Sequence, residues 1–332
     1  MKKVIWGVLG TARIARHKVI PAMQKSALCE VRAVASRSAG RAREFADALR
    51  IRDAHASYEA LLADPEIEAI YNPLPNHLHV PLTLKAVAAG KHVLCEKPIA
   101  MNAEEARQLS AVRGVLVAEA FMVRFHPQWL RAREIVRQGT IGTPRVVQAF
   151  FAYSNLDANN IRNRSDAGGG GLYDIGCYAI VSGRYFFEAE PGRVVALVDR
   201  DPSFGTDRTT SGLVDFGEGR RLDFTVSTQC APYQRVHVCG TKGRLEIQIP
   251  FNAPADASTR LFIDDGSALD GSSIRTETLP GCDQYTLEAE AFSRAIRGEI
   301  PLAYGVEDAV RNVSIIDALF RSEKSRRFED VA

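Results

Sequence analysis

Glu96-Lys97-Pro98 stands where a short apolar run, His92 to Glu96, gives way to a turn. In an open parallel sheet ligands collect beyond the carboxyl ends of the strands, so a lysine held there by a rigid proline faces bound ligand and is a catalytic candidate. A second constellation lies much further along the chain. Gly168-Gly169-Gly170-Gly171 leads into Leu172-Tyr173-Asp174-Ile175-Gly176-Cys177-Tyr178. The glycines let the backbone approach a ligand or another chain segment closely, and the helix that follows sets Asp174 and Tyr178 four apart on one face. A carboxylate and a phenol on one ridge suit a pair of substrate hydroxyls. Oxidising an alcohol needs a base to take its proton as hydride leaves. Tyrosine, with a free pKa of about 10, is a poor base near neutrality, and a neighbouring ammonium such as Lys97 stabilises the phenolate and lowers that pKa. Without such a neighbour Tyr178 reads as a half-buried helical tyrosine, and Asp174 as a carboxylate complementing a helix dipole.

A site for the hydride carrier is written near the amino terminus. The first strand ends in Gly7-Val8-Leu9-Gly10-Thr11-Ala12-Arg13-Ile14-Ala15. A dinucleotide fingerprint requires a tight-turn glycine, a second tiny residue under the pyrophosphate and a third small one for helix packing, and Gly10, Ala12 and Ala15 fill those places. Gly10, Thr11, Ala12, Arg13 and Ile14 are thus expected to meet the pyrophosphate at a helix amide end. The second strand ends in Ala35-Ser36-Arg37-Ser38, with Arg41 one turn later. An acidic residue here would accept from a free ribose hydroxyl, whereas Ser36, Arg37 and Arg41 suit a 2′-phosphate, so NADP is expected, with NAD the alternative. Pro73-Leu74-Pro75-Asn76-His77-Leu78-His79 is stiffened by its prolines and supplies Leu74, Asn76 and His79, which with Glu96 and Lys97 border the nicotinamide ribose or form only a rigid turn. Arg124, Phe125, His126 and Trp129 are candidate pocket walls. Asn155, Asn159, Asn160 and Arg162 are candidate partners of a polyhydroxylated ligand, or simply a polar loop.

The elements that carry these residues fall into two styles. Val4–Leu9, Val31–Ala35, Ala69–Asn72, His92–Cys95 and Val115–Ala118 read as doubly covered strands, alternating with amphipathic helices at 14–24, 40–49, 58–63, 78–89 and 103–111. That alternation predicts an α/β fold that opens with a doubly wound, Rossmann-type parallel sheet. After residue 121 longer alternating runs predict a C-terminal α/β domain with a large, mostly antiparallel open sheet. Residues 1–121 and 122–332 are the expected domains, reasonable for a chain of 332 residues. Forty-two basic residues against forty acidic ones leave no general attraction to nucleic acid or to a membrane. No export segment or membrane span is visible, and six scattered cysteines without zinc-ligand spacing predict a reduced, metal-free protein of the cytoplasm.

Taken together, the Gly10 fingerprint, Pro73 to His79, Glu96-Lys97-Pro98 and Gly168 to Tyr178 resemble the Gfo/Idh/MocA family of oxidoreductases, in order and approximate spacing along essentially the whole chain. The resemblance implies that Lys97 lies beside nicotinamide, commonly with a cis peptide before the proline. It also implies that the far face of the second sheet joins two or four copies of the chain. Many members carry histidine where this chain has Tyr178. That departure is similar to the branch holding NADP-dependent D-xylose dehydrogenase, dimeric dihydrodiol dehydrogenase and glucose-fructose oxidoreductase, in which tyrosine transfers the proton. The expectation is therefore an NADP-dependent dehydrogenase of a cyclic sugar, acting at the anomeric carbon of an aldopyranose. Reduction of a keto-sugar or oxidation of a trans-dihydrodiol would use the same residues, and a non-catalytic NADP sensor is the alternative outside enzymes.

Overall fold

The computed structural model describes residues 2–331. Contacts divide the chain into one unit running to Met122 together with Asp283–Val310, and another comprising Val123–Cys282 and the chain from Arg311 on.

In the first unit, strands β1 (Val4–Leu9), β2 (Cys29–Ala35), β3 (Asp53–His55), β4 (Ala69–Asn72), β5 (His92–Glu96) and β6 (Val117–Ala120) form one sheet in the order β3-β2-β1-β4-β5-β6. Every recorded pairing in it is parallel. All six residues of β1 are buried, as expected of strands covered on both faces. The order reverses direction between β1 and β4, so the turns after those strands open at the switch point where such sheets bind ligands. The sequence reading had no β3, because Asp-Ala-His carries no apolar run. Helix α1 (Ile20–Lys25) is led by a π-helical turn, Ala15–Val19, where one uninterrupted helix was expected. Helices α2 (Ala39–Ala48), α3 (Tyr58–Leu62), α4 (His79–Ala88) and α5 (Ala103–Arg107) follow the predicted pattern. Asn102 caps α5, accepting the Glu105 N–H at 2.8 Å.

The expected boundary needs correction. Helix α8 (Gln284–Ile296), assigned by sequence to the second domain, is part of the first unit. Its Ala289 and Phe292 are buried in that core, with the Phe292 ring 5.8 Å from Trp6. Arg297, just past its end, grips both oxygens of Glu68 at 2.9 and 2.8 Å. Nothing in the local sequence of α8 names the distant residues it packs against. Arg297 is the main reason the Glu68 carboxyl is held at about 2, below its ordinary 4.5, with burial opposing. A depressed carboxyl contributes stability above its unfolded pKa and loses it as pH falls through the folded one. Arg297→Met should lower the thermal midpoint at pH 7, and the gap should narrow as pH falls from 4.5 toward about 2, leaving the part due to the lost bonds to Lys2 O and Lys3 O. Calorimetry across that range checks it; a constant gap would remove the pair from the stability of this unit.

The second unit is built on β7 (Pro144–Ser154), β8 (Arg193–Arg200), β9 (Asp207–Asp215), β10 (Arg221–Ser227), β11 (Gln229–Gly240), β12 (Arg244–Ile247), β13 (Thr259–Asp264), β14 (Arg275–Leu279) and β15 (Glu329–Asp330). Their order is β14-β13-β12-β11-β7-β10-β9-β8-β15, antiparallel throughout except for the parallel β7–β10 pair. Helices α6 (Pro127–Arg137) and α7 (Cys177–Phe187) pack on one face. Every residue of α7 is buried, and Trp129 of α6 stacks on Phe186 with centroids 5.6 Å apart. The other face is open: Leu197 is 79% and Tyr233 50% exposed, beside Phe150. The last helix, α9 (Val306–Ser325), precedes β15. No helix among the described residues is long and apolar enough to cross a membrane.

Candidate active site

The turn after β1 has the geometry of a phosphate cradle. Gly10 takes φ +81°, where a side chain is strained, and a Cβ built on it would lie 2.8 Å from Leu74 Cδ2. Its N–H donates to Ala35 O at 2.7 Å, the last tie to β2 before the turn. Thr11, Ala12 and Ile14 remain partly accessible and Arg13 is exposed, just ahead of the π-helical turn. After β2, Ser36 is 6% exposed and Ser38 caps α2 by accepting the Arg41 N–H. Arg37 and Arg41 are exposed, and their charges act on the phenol of Tyr58, whose pKa is raised by burial against the pull of both guanidiniums. The phenolic oxygen lies 3.8 Å from the Cβ position of Gly10, so Tyr58 joins this site. Sequence reading missed it because a helical tyrosine carries no motif. A bare backbone turn at a helix entrance, flanked by two exposed guanidiniums and no carboxylate after β2, fits a dinucleotide with a 2′-phosphate.

Lys97 sits on a turn tied down on every side. Glu96 accepts the buried Tyr71 hydroxyl at 2.5 Å, and the Ile99 N–H donates to buried Glu119 of β6 at 2.8 Å. His79 Nδ1 lies 2.7 Å from Pro98 O. The Lys97–Pro98 peptide is cis. His79 corrects the sequence reading. It is fully buried, and its other ring nitrogen lies 2.6 Å from Leu74 O, so both nitrogens face backbone and none is left to meet a ribose. Burial pulls its pKa down to about 4, against both carbonyl contacts. The ring staples the Leu74 turn to the Lys97 turn. Leu74 is itself 8% exposed and packs under Gly10, while Asn76 stays partly accessible.

In the second unit, Leu172–Gly176 is a π-helical turn running into α7, so the plain i, i+4 ridge expected of Asp174 and Tyr178 is replaced by a widened turn of the kind found at functional sites. One oxygen of Asp174 accepts both the Tyr153 hydroxyl at 2.6 Å and Arg162 Nε at 2.9 Å. Tyr153, on β7, is pushed far up in pKa by burial and then by Asp174, and stays a neutral donor. Tyr178 is 6% exposed, its ring 6.0 Å from Phe151 and 5.5 Å from Phe251, which set its direction. Three of the four glycines admit chain: a Cβ at Gly170 would lie 1.9 Å from Asp207 Oδ1, one at Gly169 2.5 Å from Arg162 O and one at Gly171 3.3 Å from Asp207 O.

Other candidates receive structural places. Asn160 accepts the Arg162 N–H at 3.1 Å, closing a local turn. Arg124 is 4% exposed, and Phe125 is partly covered. His126 caps α6 through Nδ1, and Trp129 Nε1 donates to Pro250 O at 2.7 Å. Tyr153 and Asp207 were not singled out from sequence, since lone residues in strands carry no spacing signal.

Comparison with known proteins supplies the class. Residues 4–113 match an oxidoreductase family with an NAD-binding Rossmann fold, and residues 129–246 match the GFO/IDH/MocA C-terminal domain. The chain is 39% identical over 329 residues to a D-xylose 1-dehydrogenase (NADP(+)) of Haloferax volcanii, covering 97% of this chain and 98% of the relative. It is 36% identical over 249 residues to the mouse trans-1,2-dihydrobenzene-1,2-diol dehydrogenase, covering 73% and 74%. A 3-ketoreductase from Actinomadura kijaniata, solved with NADP and TDP-benzene, superposes with a TM-score of 0.90 at 31% identity, covering 97% and 98%. The chain belongs to the Gfo/Idh/MocA family of oxidoreductases.

Proposed function

We propose that this oxidoreductase uses NADP to oxidise a cyclic sugar, an aldopyranose such as D-xylose, at its anomeric carbon to the lactone. Ser36, Arg37 and Arg41 would hold the 2′-phosphate, with Tyr58 beside them, and the Gly10 to Ile14 turn would hold the pyrophosphate. The nicotinamide, when bound, supplies the acceptor for the hydride lost from the sugar carbon. Tyr178 takes the hydroxyl proton, Lys97 stabilises the phenolate and touches the reacting oxygen, and Asp174 orients a neighbouring hydroxyl. The observation that carries this reading is the Lys97 turn: bonds to Tyr71, Glu119 and His79 hold its neighbours still at the end of a central strand, as a group acting on bound ligand requires.

Keto-sugar reduction is the second reading, favoured by the likeness to the Actinomadura ketoreductase, and it runs the same proton transfer backwards. A panel of aldoses, keto-sugars and diols, followed by NADPH absorbance in both directions, separates the two. Tight NADP binding without turnover across that panel would favour a sensor. Arg37→Asp should raise KM for NADP about tenfold or more and leave that for NAD nearly unchanged. Equal effects on both would remove the guanidinium from cofactor choice.

The open face of the second sheet, with Leu197 and Tyr233 standing out of it, is proposed to meet a second copy of the chain. Leu197→Glu should then reduce the mass measured by sedimentation equilibrium; an unchanged mass would assign assembly to another surface.

A further inference from the structure

We infer that Asp207 is the positioning residue of the segment carrying Asp174 and Tyr178, and that Gly170, in the glycine run before that segment, is glycine to clear this carboxylate. The inference rests on the reading that Asp174 and Tyr178 act on substrate. Asp207 opens β9 and is 1% exposed. A buried carboxylate is costly unless donors reach it. Two do: the Leu172 N–H donates to Oδ2 at 2.6 Å and the Thr210 hydroxyl at 3.0 Å. Leu172 is the first residue of the π-helical turn, so the carboxylate satisfies an N–H with no partner inside the helix and sits where a helix end favours negative charge.

The opposite oxygen, Oδ1, occupies the space beside Gly170, where a Cβ would come within 1.9 Å. Gly170 also takes φ +119°, so no other residue fits on either count. Its N–H donates to Arg162 O at 2.9 Å, and that of Gly169 to Arg164 O at 2.9 Å, which lays the loop bearing Arg162 alongside. The turn is thereby gripped at both ends of its first residues. Asp207 holds Leu172 from β9, and Tyr153 holds Asp174 from β7. Both anchors belong to strands of the same sheet, a firmer base than the loop itself. Burial lifts the Asp207 carboxyl to about 6, opposed by the Leu172 N–H, the Thr210 hydroxyl and Arg200 on the paired strand.

The test compares Asp207→Ala, Asp207→Asn, Gly170→Ala and the Asp207→Ala/Gly170→Ala pair in the full chain. Asp207→Ala should raise hydrogen exchange of peptides spanning 168–182 about tenfold or more, leaving those around Lys97 unchanged. With the best substrate of the panel, it should lower kcat about 30-fold or more, with KM and the NADP dissociation constant within about threefold. Asp207→Asn keeps an acceptor for Leu172 and should recover most of both losses. Gly170→Ala alone should loosen the same peptides, and the pair should be less damaged than the two single effects combined. Unchanged exchange in 168–182, or a loosened segment with full turnover, would overturn the inference. Should Tyr178→Phe retain full turnover, the proton-transfer reading fails by itself, and the exchange data still decide whether Asp207 holds the turn.

Discussion

Tyr178→Phe is expected to lower kcat about 10²- to 10⁴-fold, the range lost with a positioned acid or base, while NADP binds as before. The ring of Tyr178 packs on Phe151 and Phe251, and phenylalanine keeps those contacts, so the change removes an oxygen without opening a cavity. The thermal midpoint should therefore move little. Steady-state rates, with a fluorescence titration of the cofactor, provide the check. A variant that turns over at the wild-type rate would strip Tyr178 of its role and return it to the aromatic core.

Lys97→Ala should cost about 10²-fold or more in turnover. The ties that shape its turn run through the Glu96 side chain, the Pro98 carbonyl and the Ile99 N–H, none of which the substitution removes. Lost activity would then report lost chemistry rather than lost structure. On the proposed mechanism, in which the ammonium lowers the pKa of the phenol, the rise of oxidation with pH should shift to higher pH in the variant. An unshifted profile with reduced rate would leave Lys97 a substrate-binding role only.

Much of this was legible beforehand, for a definite reason. Strands such as Val4–Leu9 and Ala69–Asn72 are buried on both faces, so their apolar runs mark them without help from tertiary structure. Motif residues were legible because chemistry constrains spacing: Gly10 needs a positive φ, and Lys97 needs the end of a strand. What stayed hidden depends on contacts between distant residues. His79 looked like a ligand-facing histidine because its position beside a strand end is visible, whereas its two backbone oxygens, at Leu74 and Pro98, are not. The glycines before Leu172 promised close approach without naming the visitor. Asp207, some thirty-five positions later, is the visitor, and nothing around it in sequence advertises that.

Helix α8 has a bearing on how the molecule comes to exist. A ribosome releases the first 122 residues long before Asp283 to Val310 emerge, and until then Trp6 lacks Phe292, Cys29 lacks Ser293 and Glu68 lacks Arg297. The nucleotide-binding half, first to be synthesised, is among the last to be completed. A fragment cut at the apparent boundary would bare an indole and strip Glu68 of its two-bonded guanidinium, leaving it only the looser ammonium of Lys2 at 3.7 Å.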